Sequence, residues 1–87
     1  MAWTIDYSDK ALRQIQKFDK QIAKRIIKHM EKIAGLEDVR GLGHALSGPL
    51  GTLWRYRVGD YRVICDIQDK ILRILVVEIG HRSNIYD

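Results

Sequence analysis

The feature that most constrains the fold of this chain is a pair of β-rich runs joined by a two-residue connection. Leu53–Val58 and Tyr61–Gln68 are rich in β-branched and aromatic residues, and only Gly59-Asp60 separates them. A connection of this length and composition closes a tight antiparallel hairpin. Because the turn fixes the register, we expect two cross-strand pairs next to it: Val58 with Tyr61, and Arg57 with Arg62.

This register places three arginines on one face of the predicted hairpin. Arg57 faces Arg62, and strand alternation puts Arg55 on the same side. The other side presents an apolar surface that helices would cover, made of Trp54, Tyr56, Val58, Tyr61, Val63, Cys65 and Ile67. Like charges directly opposite each other destabilise a sheet by up to about 1 kcal/mol. The arginine cluster therefore favours a polyanionic ligand, and the alternative is a set of ordinary exposed arginines paired with Asp66 or Asp87.

The rest of the chain predicts one strand and two helices before this hairpin and one strand after it. Residues 2–7 alternate between apolar and polar side chains, as in a half-buried strand. Ser8 and Asp19 are typical helix N-caps, Gly35 is a typical C-terminal stop, and apolar residues recur between them at helical spacing. Residues 71–79 are apolar on both faces and predict an inner strand. The predicted order is βααβββ, with the glycine-rich residues 36–52 as a loop.

Length and composition exclude several classes of protein. A chain of 87 residues suffices for one small domain, residues 1–87, and its 46% hydrophobic and 30% charged residues are typical of a globular protein. Fifteen Lys and Arg against eleven Asp and Glu leave a net charge of +4, which favours polyanions. The one cysteine cannot form an internal disulfide, and no apolar run is long enough to span a membrane, so we expect a cytoplasmic protein.

The segment after the last strand, GHRSNIY at residues 80–86, is a second source of candidate functional side chains. His81 can move a proton because imidazole titrates near neutral pH. Arg82 adds a permanent positive charge, and Tyr86 can stack on an exposed base or bind a phosphate. His44, in the predicted loop, is an alternative proton carrier. The three histidines and one cysteine lack metal-ligand spacing, so no metal or other cofactor is predicted.

Together these motifs resemble the RelE branch of the RelE/ParE toxin superfamily. The resemblance rests on LWRYRVGDYRVI at residues 53–64, on the helical hairpin before it, and on the closing GHR and IY at residues 80–82 and 85–86. It implies an α+β fold in which an antiparallel sheet carries an α-helical hairpin on one face. It also implies a toxin of a toxin-antitoxin pair, a metal-independent endoribonuclease that cleaves messenger RNA in the ribosomal A site.

The resemblance further implies roles for individual residues. Basic active-site residues of the family correspond to Arg55 and Arg57, and arginines that contact the scissile phosphate correspond to Arg62 and Arg82. A tyrosine that stacks on the substrate nucleotide corresponds to Tyr86. Arginine stays protonated and cannot replace a lysine general base, so His81 is the expected proton carrier. The predicted catalytic set is Arg55, Arg57, Arg62, His81, Arg82 and Tyr86, acting on RNA whose 2′-hydroxyl attacks the adjacent phosphorus.

The partners implied by the resemblance are a RelB-like antitoxin, the ribosome and messenger RNA, with neither a membrane nor a dedicated small-molecule ligand. Two other functions remain open. One is a ParE-like toxin that inhibits DNA gyrase and has no nuclease site, against which the His81, Arg82 and Tyr86 tail argues. The other is a basic RNA-binding module without catalysis, whose binding surface would be the charged helical hairpin.

Overall fold

The fold combines a mixed β-sheet with two helices, in a computed structural model that describes residues 3–46 and 53–81. The elements in chain order are β1 (Thr4–Tyr7), α1 (Asp9–Lys17), α2 (Lys20–Ala34), β2 (Gly43–Ala45), β3 (Leu53–Val58), β4 (Tyr61–Gln68), a 3-10 turn (Asp69–Ile71) and β5 (Arg73–His81). Over these residues the sheet has five strands in the order β1-β5-β4-β3-β2. The predicted α+β class is confirmed.

Both helices begin at the residues that the capping signals predict. The Ser8 Oγ accepts a hydrogen bond from the Ala11 N–H at 3.0 Å, and the Asp19 carboxylate accepts one from the Gln21 N–H at 3.1 Å. Gly35 ends α2 as expected. The Ser8 hydroxyl also donates to the Val77 carbonyl at 2.9 Å, so the cap of α1 ties this helix to β5. Neither helix is long and apolar enough to cross a membrane.

The helices cover one face of the sheet and form the core with it. Ile26, Met30 and Ile33 of α2 are fully buried. They belong to one hydrophobic cluster with inward side chains of the sheet, among them Tyr56, Val58, Val63, Cys65, Ile74, Val76 and Ile79. The predicted pairs of the β3–β4 hairpin are confirmed, with Val58 opposite Tyr61 and Arg57 opposite Arg62. We call the face packed against the helices the covered face and the other the open face.

Two features of the sheet differ from the predicted pattern. β1 pairs with β5 in parallel, with Thr4 opposite Arg73, so the sheet is mixed rather than wholly antiparallel. The short connection after β4 makes β5 run antiparallel to β4. β1 runs in the same direction as β5. The segment predicted as a loop contains β2, which pairs antiparallel with β3. Three residues are too few to produce a recognisable period-two pattern.

Candidate nucleic-acid interface

Three arginines lie together on the open face. Arg57 pairs directly with Arg62, and Arg55 pairs with Ile64, so all three side chains project from the same side of the hairpin. Arg57 is exposed, whereas Arg55 and Arg62 are half-buried and their Nε atoms are shielded from solvent. The surrounding packing therefore restricts where the guanidinium groups of Arg55 and Arg62 lie. The structure brings together this part of the predicted site.

The arginine pair continues into a shallow depression at the hairpin turn. Arg57 and Arg62 line it together with the turn residues and Tyr61, and its volume is about 90 Å³. Gly59 adopts a left-handed conformation with φ of 61°, which glycine tolerates without strain. The guanidinium of Arg25, from α2, packs close to this glycine, since a Cβ placed there would lie 3.2 Å from the Arg25 Nη1. The turn therefore has arginines near it on both sides of the sheet.

His44 lies on the open face because β2 pairs with β3. It is directly opposite Arg55, and residues opposite each other in an antiparallel pair share a face. Its side chain is exposed. The preceding Gly43 permits this approach, because a Cβ at that position would lie 2.6 Å from the Arg55 carbonyl oxygen. His44, the alternative proton carrier, is thus the histidine that neighbours the arginines.

His81 lies on the covered face. It pairs with Tyr61, and the two rings meet edge-on with their centroids 5.4 Å apart. The Tyr61 ring packs in turn against Phe18, which follows α1, at 5.0 Å. His81 therefore borders a groove of about 330 Å³ between α1 and the end of β5, and its side chain is separated from the arginines by the sheet.

A β-bulge determines the face on which His81 lies. The register between β4 and β5 shifts at Ile64/Cys65, where Glu78 is opposite Ile64 and Val76 is opposite Cys65. Val76 and Ile79 are consequently both buried on the covered face, although they are three positions apart, a spacing that would place them on opposite faces of a regular strand. One extra residue reverses the alternation of all later side chains in the strand. Without it, His81 would project towards the arginines.

Helix α1 lies along the part of the outer edge of β5 that β1 does not reach. β1 pairs with β5 only as far as Val76. Beyond that point the Gln14 Oε1 accepts a hydrogen bond from the Ile79 N–H at 2.7 Å, and the Lys10 Nζ pairs with the Glu78 carboxylate at 2.6 Å. Helix α1 therefore covers this edge of β5, and its Gln14 side chain satisfies a backbone N–H group there.

The remaining candidate residues divide into those without an evident reactive role and those outside the described part of the chain. Burial raises the pKa of the Cys65 thiol, which is fully buried and stays protonated. Burial and the neighbouring Lys32 and Arg25 lower the pKa of His29 on α2. Residues 3–46 and 53–81 contain no cluster of side chains suited to a metal ion. Arg82 and Tyr86 lie outside the described residues, and their roles stay predictions.

Known structures with the same fold include toxins crystallised alone or with antitoxins. One is the RelBE2 toxin-antitoxin complex from Mycobacterium tuberculosis, with a TM-score of 0.84, 19% identity, and coverage of 94% of this chain and 100% of that chain. Another is the RelE-RelB complex from Pyrococcus horikoshii, with a TM-score of 0.74, 21% identity, and coverage of 98% and 100%. The YoeB dimer from Staphylococcus aureus has a TM-score of 0.71, 20% identity, and coverage of 93% and 98%. These likenesses establish a RelE-like fold.

The family follows from sequence over most of the chain. No curated protein matches. Residues 5–86, however, match the family model described as the ParE toxin of the type II toxin-antitoxin system parDE. The predicted membership of the RelE/ParE superfamily is thereby confirmed. The chain belongs to the ParE toxin family, and it is a toxin of a type II toxin-antitoxin system with the RelE-like fold.

Proposed function

We propose that this toxin is a ribosome-dependent endoribonuclease that cleaves messenger RNA in the A site. The observation that carries the proposal is the open face, where Arg55, Arg57 and Arg62 lie together and His44 is opposite Arg55. Planar guanidinium groups match the oxygens of a phosphate diester, and a neighbouring imidazole can transfer a proton. This combination suits cleavage of an RNA backbone better than simple attachment to one.

The proposed reaction uses a nucleophile that RNA itself provides. The 2′-hydroxyl attacks the adjacent phosphorus, the bond to the 5′-oxygen breaks, and the products are a cyclic phosphate and a free 5′-hydroxyl. One group takes the proton of the 2′-hydroxyl, and another protonates the leaving oxygen. The open-face arginines, together with Arg82, stabilise the charge that develops on the phosphoryl oxygens, and each such donor contributes about 100-fold or more. Tyr86 stacks on the substrate nucleotide.

Two histidines are candidates for the proton transfer. The position of His81 beside Arg82 in the sequence favours His81, whereas the strand register favours His44, on the face of the arginines. The variants His44→Gln and His81→Gln distinguish them in single-turnover cleavage. We expect a variant that lacks a proton-transferring histidine to lose about 100-fold or more and a variant of a histidine without that role to stay within a few fold. His29→Gln is the matched control.

The ribosome has a defined part in this proposal. Within the described residues, the depression beside Arg57 and Arg62 is shallow, with a volume of about 90 Å³. We infer that so open a surface needs the ribosome to hold the RNA with the 2′-oxygen in line with the leaving group. Positioning of the substrate contributes a large part of catalytic rates, and the decoding site would supply it. We therefore expect purified RNA to be cut poorly.

A second candidate function is inhibition of DNA gyrase without RNA cleavage. Two observations favour it: the family model that matches residues 5–86 is that of ParE toxins, and His81 projects to the covered face. The open-face arginines would then bind a polyanion or an acidic protein surface without chemistry.

Parallel assays on the purified toxin separate these functions. In one, the toxin is added to translating ribosomes and the ends of the messenger are mapped; in the other, it is added to gyrase and DNA supercoiling is followed. Cuts at codon positions with normal supercoiling support the nuclease. Intact messenger with blocked supercoiling contradicts it in favour of the gyrase inhibitor. Intact messenger with normal supercoiling and salt-sensitive RNA binding contradicts both and indicates the binding module.

We also propose a RelB-like antitoxin as the partner of this chain. The toxins in the Mycobacterium tuberculosis and Pyrococcus horikoshii structures were crystallised with their antitoxins. The net charge of +4 favours an acidic protein that binds to the face carrying the arginines. Co-purification of the chain with the product of a neighbouring small reading frame tests this, and failure of the two to form a complex would argue against it.

A further inference from the structure

The turn before β2 carries an arginine that lies outside the cluster of Arg55, Arg57 and Arg62. Arg40 lies in this turn, which Asp38 closes: its carboxylate accepts a hydrogen bond from the Arg40 N–H at 3.0 Å, and its carbonyl accepts one from the Gly41 N–H at 3.1 Å. The Arg40 carbonyl then accepts from the Gly43 N–H at 3.3 Å. The backbone of Arg40 is therefore linked directly to the first residue of β2.

The side chain of Arg40 reaches the far end of β4. Its Nη1 and Nη2 atoms donate to the two carboxylate oxygens of Asp69 at 3.0 and 2.7 Å, which is a bidentate pair. On the way it crosses β3, with its Cζ atom 5.8 Å from the centre of the Trp54 ring. Hydrogen bonding from Arg40 holds the pKa of the Asp69 carboxyl below its usual range, so the pair stays charged at neutral pH.

β2 needs such an attachment because little else holds it. It has three residues, pairs only with β3 within the described chain, and contains a glycine and two exposed positions. Short edge strands have few ladder hydrogen bonds and little buried surface to keep them in register. The neighbouring Val39 helps, since it is 2% exposed and its carbonyl accepts from the Tyr56 hydroxyl. The Arg40–Asp69 pair adds a second anchor that spans β3.

We propose that Arg40 is a positioning residue: its bridge to Asp69 across Trp54 holds β2 in register with β3 and thereby keeps His44 opposite Arg55. The inference rests on the proposed function in the version where His44 transfers a proton. Arg40 touches no reacting atom in this scheme, and it acts through the strand that carries the histidine. Its side chain is 39% exposed and that of Asp69 is 60% exposed, so the pair adds little to global stability.

The first test measures the register of β2 directly and does not depend on catalysis. The amide of Leu46, next to β2, donates to the Leu53 carbonyl at 3.1 Å, so its hydrogen exchange reports the β2–β3 pairing. In Arg40→Lys and in Asp69→Asn we expect this exchange to accelerate by about two- to fivefold, while amides of β4 are unaffected. The control is Asp6→Asn, which breaks another 2.7 Å arginine–aspartate pair, with Arg73 at the opposite edge of the sheet. Unchanged exchange at Leu46 in both variants overturns the proposal.

The second test asks whether Arg40 acts through His44. Arg40→Lys keeps the charge but loses the planar fork, and we expect it to lower single-turnover cleavage by on the order of 10- to 100-fold. In a His44→Gln background the same substitution should cause no further loss, because the group that it positions is already absent. An equal loss in both backgrounds overturns the proposal. If the unmodified toxin cleaves no messenger, the proposed function fails, and the exchange of Leu46 alone decides whether Arg40 sets the register.

Discussion

The covered and the open face of the sheet are built from alternate residues of the same strands, yet they obey different rules. On β3, Tyr56 and Val58 point into the core and are almost completely buried, whereas Arg55 and Arg57 point the other way. Packing determines which side chains are possible at Tyr56 and Val58, because a charged or larger side chain there would disrupt the core. The second pair tolerates an arginine directly opposite another, an arrangement that costs up to about 1 kcal/mol. The covered face accounts for stability, whereas the open face carries the arginines that we propose bind a phosphate.

The largest effect should come from a cavity on the covered face. Ile74 is fully buried, so Ile74→Ala should lower the free energy of unfolding by about 2–5 kcal/mol, measured by urea denaturation. Leu12→Ala, at a position that is 44% exposed, should change it by about 0.5 kcal/mol or less. The molecules of Ile74→Ala that remain folded should cleave at the normal rate. Equal losses in the two variants would show that the covered face is not the main source of stability.

A substitution on the open face should lower cleavage strongly and stability little. Arg62→Ala should lower messenger cleavage by about 100-fold or more, because in the proposed reaction Arg62 is a donor to the phosphoryl oxygens. The free energy of unfolding should change by only about 1 kcal/mol or less. The matched control is Arg13→Ala, which removes an exposed arginine from α1 on the covered side. Equal loss of cleavage in both variants would mean that general positive charge, and not this face, is what the reaction needs.

Tyr56→Phe should have a smaller effect, since it keeps the ring in the core and removes only the hydroxyl. The hydroxyl donates to the Val39 carbonyl, and its loss leaves a buried acceptor without that partner. We expect the free energy of unfolding to fall by about 1 kcal/mol. Denaturation by urea gives this value, and exchange at Leu46 shows whether the segment before β2 loosens as well. A variant as stable as the parent would mean that the carbonyl finds water.

The smallest effect should be a pH dependence of stability from His29. Burial, Lys32 and Arg25 lower its pKa in the folded state, so the unfolded chain binds the proton more readily. Stability contributed by the neutral form is therefore lost as the pH falls below about 6.5, and it is regained as the pH rises. Urea denaturation between about pH 5 and pH 8 measures this slope, and His29→Gln should reduce it. A slope unchanged in His29→Gln would assign the dependence to another group.

Local chemistry was enough to predict the parts of the fold that depend on neighbouring residues. The Gly59-Asp60 turn sets the β3–β4 register, and Ser8, Asp19 and Gly35 mark the ends of the helices. The position of Arg55, Arg57 and Arg62 follows from that register alone. These predictions succeed because each needs only a turn, a cap or a period of two.

The features that escaped prediction depend on contacts between distant segments. The bulge that turns His81 to the covered face lies in a strand that is apolar on both sides, so its side-chain pattern contains no sign of the extra residue. β2 forms because β3 offers it an edge, and nothing within Gly43–Ala45 requires a strand. Arg40 and Asp69 are far apart in the sequence, and neither has a local motif that predicts their pairing.

The parallel pairing of β1 with β5 has a consequence for how the toxin is made. Thr4 finds its partner only at Arg73, so the first strand must wait for almost the whole polypeptide before it can join the sheet. Closing so long a loop slows folding relative to a sheet built from adjacent hairpins. During synthesis the sheet, and with it the native toxin, can therefore be completed only after β5 has left the exit tunnel.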